Sequence, residues 1–72
     1  MKLNYYPDTD SLYIDLAERD SVDSREVADG VVLDYDAVGN LVGIDIDHAS
    51  SKVHLGRLVL QGMTGDVVRT VA

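Results

Sequence analysis

The chain has 72 residues, with 13 acidic and 6 basic side chains, a net charge of −7, no cysteine and four tyrosines as its aromatics. That length holds one small domain, an apolar fraction of 46% argues against wholesale disorder, and the missing cysteines exclude a disulfide framework and a thiolate metal site. No apolar run approaches the roughly 18 residues that cross a bilayer, and Met1 to Tyr6 lacks the apolar stretch of a secretory signal; a cytoplasmic protein is therefore expected, away from membranes and, because phosphate repels acidic chains, not directly bound to nucleic acid.

Lys2 to Tyr6 predicts a first strand. Pro7-Asp8-Thr9-Asp10-Ser11 is a turn, in which Pro fixes φ and the Asp and Ser side chains bond back to the local backbone. From Ser11 to Ala17, Leu12, Ile14 and Leu16 alternate with Tyr13 and Asp15, the period of a strand, and the short connection makes it the antiparallel partner of the first. Glu18 to Ser24 is a charged loop. Arg25 to Tyr35 predicts the third strand, with Gly30 as a bulge or bend near its start.

Asp36-Ala37-Val38-Gly39 turns the chain into a fourth strand, Asn40 to Ile46. Two registers compete. A three-residue loop, Ala37 to Gly39, pairs Asp34 with Val42 and Leu33 with Gly43 and mixes polar with apolar residues. A four-residue loop pairs Leu33 with Val42 and Val31 with Ile44, placing Val31, Leu33, Tyr35, Val42, Ile44 and Ile46 on one side. The second is expected, since a slip of one residue inverts every side chain. Asp47 then caps a short helix over Ala49 to His54, with Val53 toward the core and Gly56 as its end.

Leu58-Val59-Leu60 reads as a fifth short strand or a packed extension, Gln61 to Asp66 as a flexible connection, and Val67 to Val71 as an edge strand, an arm to a partner or a frayed end. The expected fold is thus α+β: a small antiparallel meander of four strands, five with the Leu58 segment, and one helix after strand four. Residues 1–60 form the domain and residues 61–72 an extension. So short a chain, without disulfide or metal, barely supplies a core and is expected to associate.

The run Leu12-Tyr13-Ile14-x-Leu16, Ser24-x-Glu26-Val27, Gly30-Val31-x-Leu33-Asp34-Tyr35-Asp36-x-x-Gly39-x-Leu41-Val42-Gly43-Ile44-Asp45-Ile46 and Ala49-Ser50, with Tyr5 and Asp10 upstream, resembles the bacterial and archaeal family called domain of unknown function 2283. The resemblance spans residues 2 to 51. It implies a small β-rich domain, often a whole protein, with no assigned activity. Some members resemble the smaller partner in two-gene arrangements of toxin–antitoxin type. Leu58 to Ala72 lies beyond the resemblance.

Three constellations bear on chemistry. Asp34, Asp36, Gly39 and Asp45 stand at calcium-loop spacing, but Val38 occupies a ligand position, Asp45 is a short substitute for Glu, and the flanks are strands. A hairpin turn bearing solvated acids is the expected reading, with small-ligand or divalent-metal binding on the Asp34, Asp36 and Asp45 face as the alternative. Asp47-His48-Ala49-Ser50 contains the residue types of a nucleophilic triad, yet adjacent residues do not form the relay that distant segments assemble. His48 and His54 are poorly spaced for one metal.

No enzyme and no cofactor are expected. Tyr13 opposes Leu12 and Ile14 in sense, so it falls on the second face of the sheet, where with Val32 and Leu41 it forms an apolar patch that is either an interface or covered by the C-terminal helix or tail of its own chain; Asp34 and Asp45 lie on the same polar face, and His48 helps the helix start or packs at an interface. These six residues form the expected interface, whether with a second copy or with a small basic protein steered by the acidic charge.

Overall fold

A computed structural model describes residues 1–71. It contains five strands, β1 (Lys2–Tyr6), β2 (Ser11–Asp15), β3 (Asp23–Ala28), β4 (Val31–Tyr35) and β5 (Leu41–Ile46), and one short helix, α1 (Ala49–Lys52). All five strands join one antiparallel sheet in the order β1-β2-β5-β4-β3. The antiparallel sheet and the helix after the last strand match the expected fold class. The meander does not, because two local units, the β1–β2 hairpin and the β3–β4–β5 meander, are joined through β2 and β5.

The fifth strand comes from the stretch Arg25 to Tyr35, expected to be one continuous strand. Asp29-Gly30 is a turn, with Gly30 at φ 71°, and it splits the expected third strand into β3 and β4. Asp-Gly between two apolar runs is a hairpin signal. A register shift between Glu26 and Ala28 accompanies the turn. Neither Leu58–Leu60 nor Val67–Val71 is a strand.

The β4–β5 register resolves the two competing hairpins by using a bulge. Close to the turn, Asp36 N–H donates to Asn40 O at 2.9 Å and Tyr35 pairs with Leu41, as a three-residue loop requires. The ladder then slips by one between Asp34 and Tyr35, so that Leu33 pairs with Ile44, Val31 with Ile46, Val32 with Asp45 and Asp34 with Gly43. The expected pairs Leu33–Val42 and Val31–Ile44 are therefore replaced, yet the same side chains share a face. Val42 is left without a β4 partner and its carbonyl accepts from Leu16 N–H at 2.9 Å. The continuous ladders weighed from sequence omitted this arrangement, in which a tight loop and a coherent apolar face coexist.

One face of the sheet carries Leu12, Ile14, Val31, Leu33, Ile44 and Ile46, opposed across the strands as Leu12–Ile46, Ile14–Ile44 and Leu33–Ile44. Arg25, opposite Leu33, lies over the Tyr35 ring at 5.7 Å from its centroid. The core is very small. Among the described residues the buried apolar side chains are Val42 (2% exposed), Leu12 (8%) and Ala49. The expected helix is also shorter, ending at Lys52, and Val53 is half-buried in extended backbone.

The opposite face turns on Gly43. Tyr13 leaves β2, crosses β5 over Gly43 and reaches Asp34 on β4, its hydroxyl donating to Asp34 Oδ2 at 2.9 Å. A β-carbon at Gly43 would overlap that hydroxyl. Gly43→Ala should therefore destabilise the fold by about 1–3 kcal/mol, as overpacking does. In thermal melts the double variant Gly43→Ala/Tyr13→Ala should cost less than the sum of the single changes; additive losses would contradict the close approach.

Candidate functional site

The second face is polar and hydrogen-bonded. Asp34 receives two hydroxyls, Tyr13 at 2.9 Å on Oδ2 and Ser24 at 2.7 Å on Oδ1, which links β2, β4 and β3 across the sheet. Asp45 sits between Tyr13 and Val32 in neighbouring strands. Loss of hydration pushes its carboxyl above the ordinary value, and the charges of Asp47 and Asp34 push the same way. Burial pushes the Tyr13 hydroxyl up to about 12, helped by its bond to Asp34 and by the charges of Asp34, Asp15 and Asp45. The acids expected to be merely solvated thus include one held by hydroxyls and one short of water.

The six expected interface residues divide. Tyr13, Val32, Asp34 and Asp45 share the polar face, and all four are half-buried. Asp34 lies opposite Gly43, not beside Leu41, because of the bulge. Leu41 is exposed next to the β4–β5 turn and pairs with Tyr35. His48 is away from this group, in left-handed backbone (φ 51°) just before α1.

Asp36 belongs to the turn. Its Oδ1 accepts Val38 N–H at 3.0 Å and Asn40 N–H at 2.8 Å, and its Oδ2 accepts Asn40 Nδ2 at 3.1 Å. These bonds, with Asn40 N–H the largest contributor and Arg19 nearby, hold its carboxyl below the ordinary value. Asp34, Asp36 and Asp45 are therefore not gathered. Among the described residues no group of three or more His, Cys, Asp or Glu is placed to hold a metal ion.

The start of α1 is held by the carboxylate of Asp10, not by that of Asp47 as expected. Asp10, in the β1–β2 turn at φ 54°, accepts Ser50 Oγ at 2.6 Å and Ser50 N–H at 3.0 Å, and its carbonyl accepts Ala49 N–H at 2.9 Å. Tyr5 donates to the same carboxylate at 2.8 Å. Asp10 was expected to bond locally; it instead satisfies the first amides of a helix forty residues away. Asp47 contributes backbone only: its N–H donates to Gly30 O at 2.8 Å and its carbonyl accepts Lys52 Nζ at 2.6 Å. Ser50 is occupied by Asp10, and Ser51 donates to His48 O at 2.9 Å, so neither hydroxyl donates to the His48 ring.

A shallow cleft of about 320 Å³ lies beside α1, lined by Asp29, Gly30, Asp47, His48, Ser51 and Lys52. Among the described residues no helix is long and apolar enough to cross a membrane.

The family model described as Protein of unknown function (DUF2283) matches residues 2–50. The chain belongs to that family. The matched region contains all five strands and the Asp10–Ser50 tie. No curated protein and no solved structure matches the chain.

Two titrations follow. Ser50 first, then Tyr5, hold the Asp10 carboxyl below its ordinary value. Its contribution to stability is present above the unfolded value near 3.9 and is lost as pH falls through the lower folded value. Asp10→Asn should lower the melting temperature at pH 7 and flatten its acid dependence below about pH 4; an unchanged acid limb in thermal melts would refute the tie. Asp45 has the opposite sign, since its raised value makes the ionised form a cost that is relieved as pH falls. Asp45→Asn should raise the melting temperature at pH 7 in thermal melts, with the gain shrinking toward pH 3.

Proposed function

We propose that the chain is a non-enzymatic protein-interaction module that acts by self-association through the apolar face of its sheet. The observation that carries this reading is the imbalance between the sheet and its cover. A five-stranded sheet presents an apolar face, yet the described residues bury three apolar side chains. Leu3 and Tyr5 at the β1 edge remain 45% and 42% exposed, and Ile14, Leu33, Ile44 and Ile46 are half-buried. A sheet with one apolar face buries it against another layer, and the one helix among the described residues is four residues long. A second copy supplies that layer with the same chemistry and closes by two-fold symmetry.

The polar face supports a second role for the same module. It carries Asp34 and Asp45 around Tyr13 and Val32 and leaves the apolar face free for self-association. Such a surface suits a small basic protein, the antitoxin-like partnership that the family resemblance implied. Catalysis is the weaker reading, because Ser50, two residues from His48, gives its hydroxyl to Asp10.

Sedimentation velocity on the full chain at micromolar concentration should give a particle of twice the 7.8 kDa chain mass. Leu3→Asp, at an exposed position on the edge strand, should weaken association by roughly tenfold or more while leaving the far-ultraviolet spectrum unchanged. A monomer throughout the micromolar range would overturn the proposal.

A further inference from the structure

We infer that residues 53–71 are an exchange arm that seats on the apolar sheet face of a second copy. This names the occupant of the face proposed above and rests on that reading. The chain leaves α1 in extended backbone at Val53 (φ −132°, ψ 157°). Every residue from His54 to Val71 is exposed, and the segment contains no strand or helix. Its composition is that of a buried segment. Leu58 is 64% and Val68 78% exposed, and Leu55, Val59, Leu60 and Met63 are exposed with them. Scattered surface apolar residues are ordinary, but their concentration in one segment, with Leu58-Val59-Leu60 at its centre, marks a contact surface.

Area gives the scale of what is missing. The chain exposes 5972 Å². A folded monomer of its mass is expected to expose about 4,400 Å². The excess, about 1,600 Å² per copy, is an amount that two chains would remove together in an intimate homodimer, whose interfaces bury roughly 2,000–5,000 Å² in total. Length fits as well. Leu55 to Leu60, extended, reaches about 20 Å, and five strands spaced about 4.8 Å apart make a sheet of about that width.

Charge agrees. Twelve of the thirteen acids lie in residues 1–52, giving that part a net charge of −8, whereas residues 53–72 carry Arg57, Arg69 and a single Asp66, a net charge of +1. An apolar arm with two arginines therefore meets an apolar face on an acidic body, and the attraction offsets part of the repulsion between two acidic copies. Reciprocal exchange occupies both arms and both faces at once, which a one-way contact does not.

The test uses the full chain. A sample mixed from isotope-labelled and unlabelled copies is examined by isotope-filtered nuclear Overhauser spectroscopy. Cross-peaks between copies should join the methyls of Leu58, Leu60 and Met63 to those of Ile14, Leu33 and Ile44. The double variant Leu58→Asp/Leu60→Asp should weaken dimerisation on the order of 100-fold with the sheet intact. A dimer without arm-to-sheet cross-peaks between copies overturns the arm and leaves the module standing. A monomer whose arm contacts its own sheet overturns both.

Discussion

The pairing of β2 with β5 is the constraint on which the rest of the structure depends. Each of the two units it joins is local, a hairpin over Lys2–Asp15 and a meander over Asp23–Ile46. The hairpin by itself is too small to be stable in water, and the three-stranded meander is near the minimum for independent stability. Joining them aligns Leu12 with Ile46 and Ile14 with Ile44 and creates the continuous apolar face. The same join lays Tyr13 beside Gly43, from which it reaches Asp34, and brings the Asp10 turn to the end of the sheet where α1 begins. The connection from β2 to β3 passes the tip of the β4–β5 hairpin, where the exposed Arg19 approaches Asp36 at 3.8 Å, a long contact of small energetic weight.

The polar interactions divide into ties and surface. Asp10 and Asp36 are ties: both carboxylates are consumed by backbone amides and side chains that hold a helix start and a hairpin turn. Several residues that carry the family resemblance, Tyr5, Asp10, Gly30, Asp36, Gly43 and Ser50, have structural work of this kind. A family signature in which such positions stand beside alternating apolar ones specifies a scaffold and leaves its chemistry open. Asp34 and Asp45 differ, since one ties three strands through hydroxyls while the other lies short of water on the face those strands present.

Much of the fold was legible in the sequence because it is encoded by period. Alternation across Ser11–Asp15, Val31–Tyr35 and Leu41–Ile46 located those strands and assigned Leu12, Ile14, Leu33 and Ile44 to one face and Tyr13 to the other. The turn at Asp29-Gly30 is also written in a short local signal, one that a bulge in a longer strand shares. Gly43 had a signal too: glycine inside a strand marks close approach by another group. Which group approaches was not visible, because Tyr13 lies thirty residues away.

The sequence by itself determined what is local: which segments are strands, which side chains share a face, and that so short and acidic a chain has little core of its own. Tertiary structure alone decided the strand order, the bulge that lets a tight turn coexist with aligned apolar pairs, and the choice of Asp10 over Asp47 as partner of α1. The physical reason is distance along the chain. Periodicity and turn chemistry act within a few residues, whereas the pairs Leu12–Ile46, Tyr13–Asp34 and Asp10–Ser50 form only when separate segments compete for one another's hydrogen bonds and buried area, and that competition is settled by the assembled sheet.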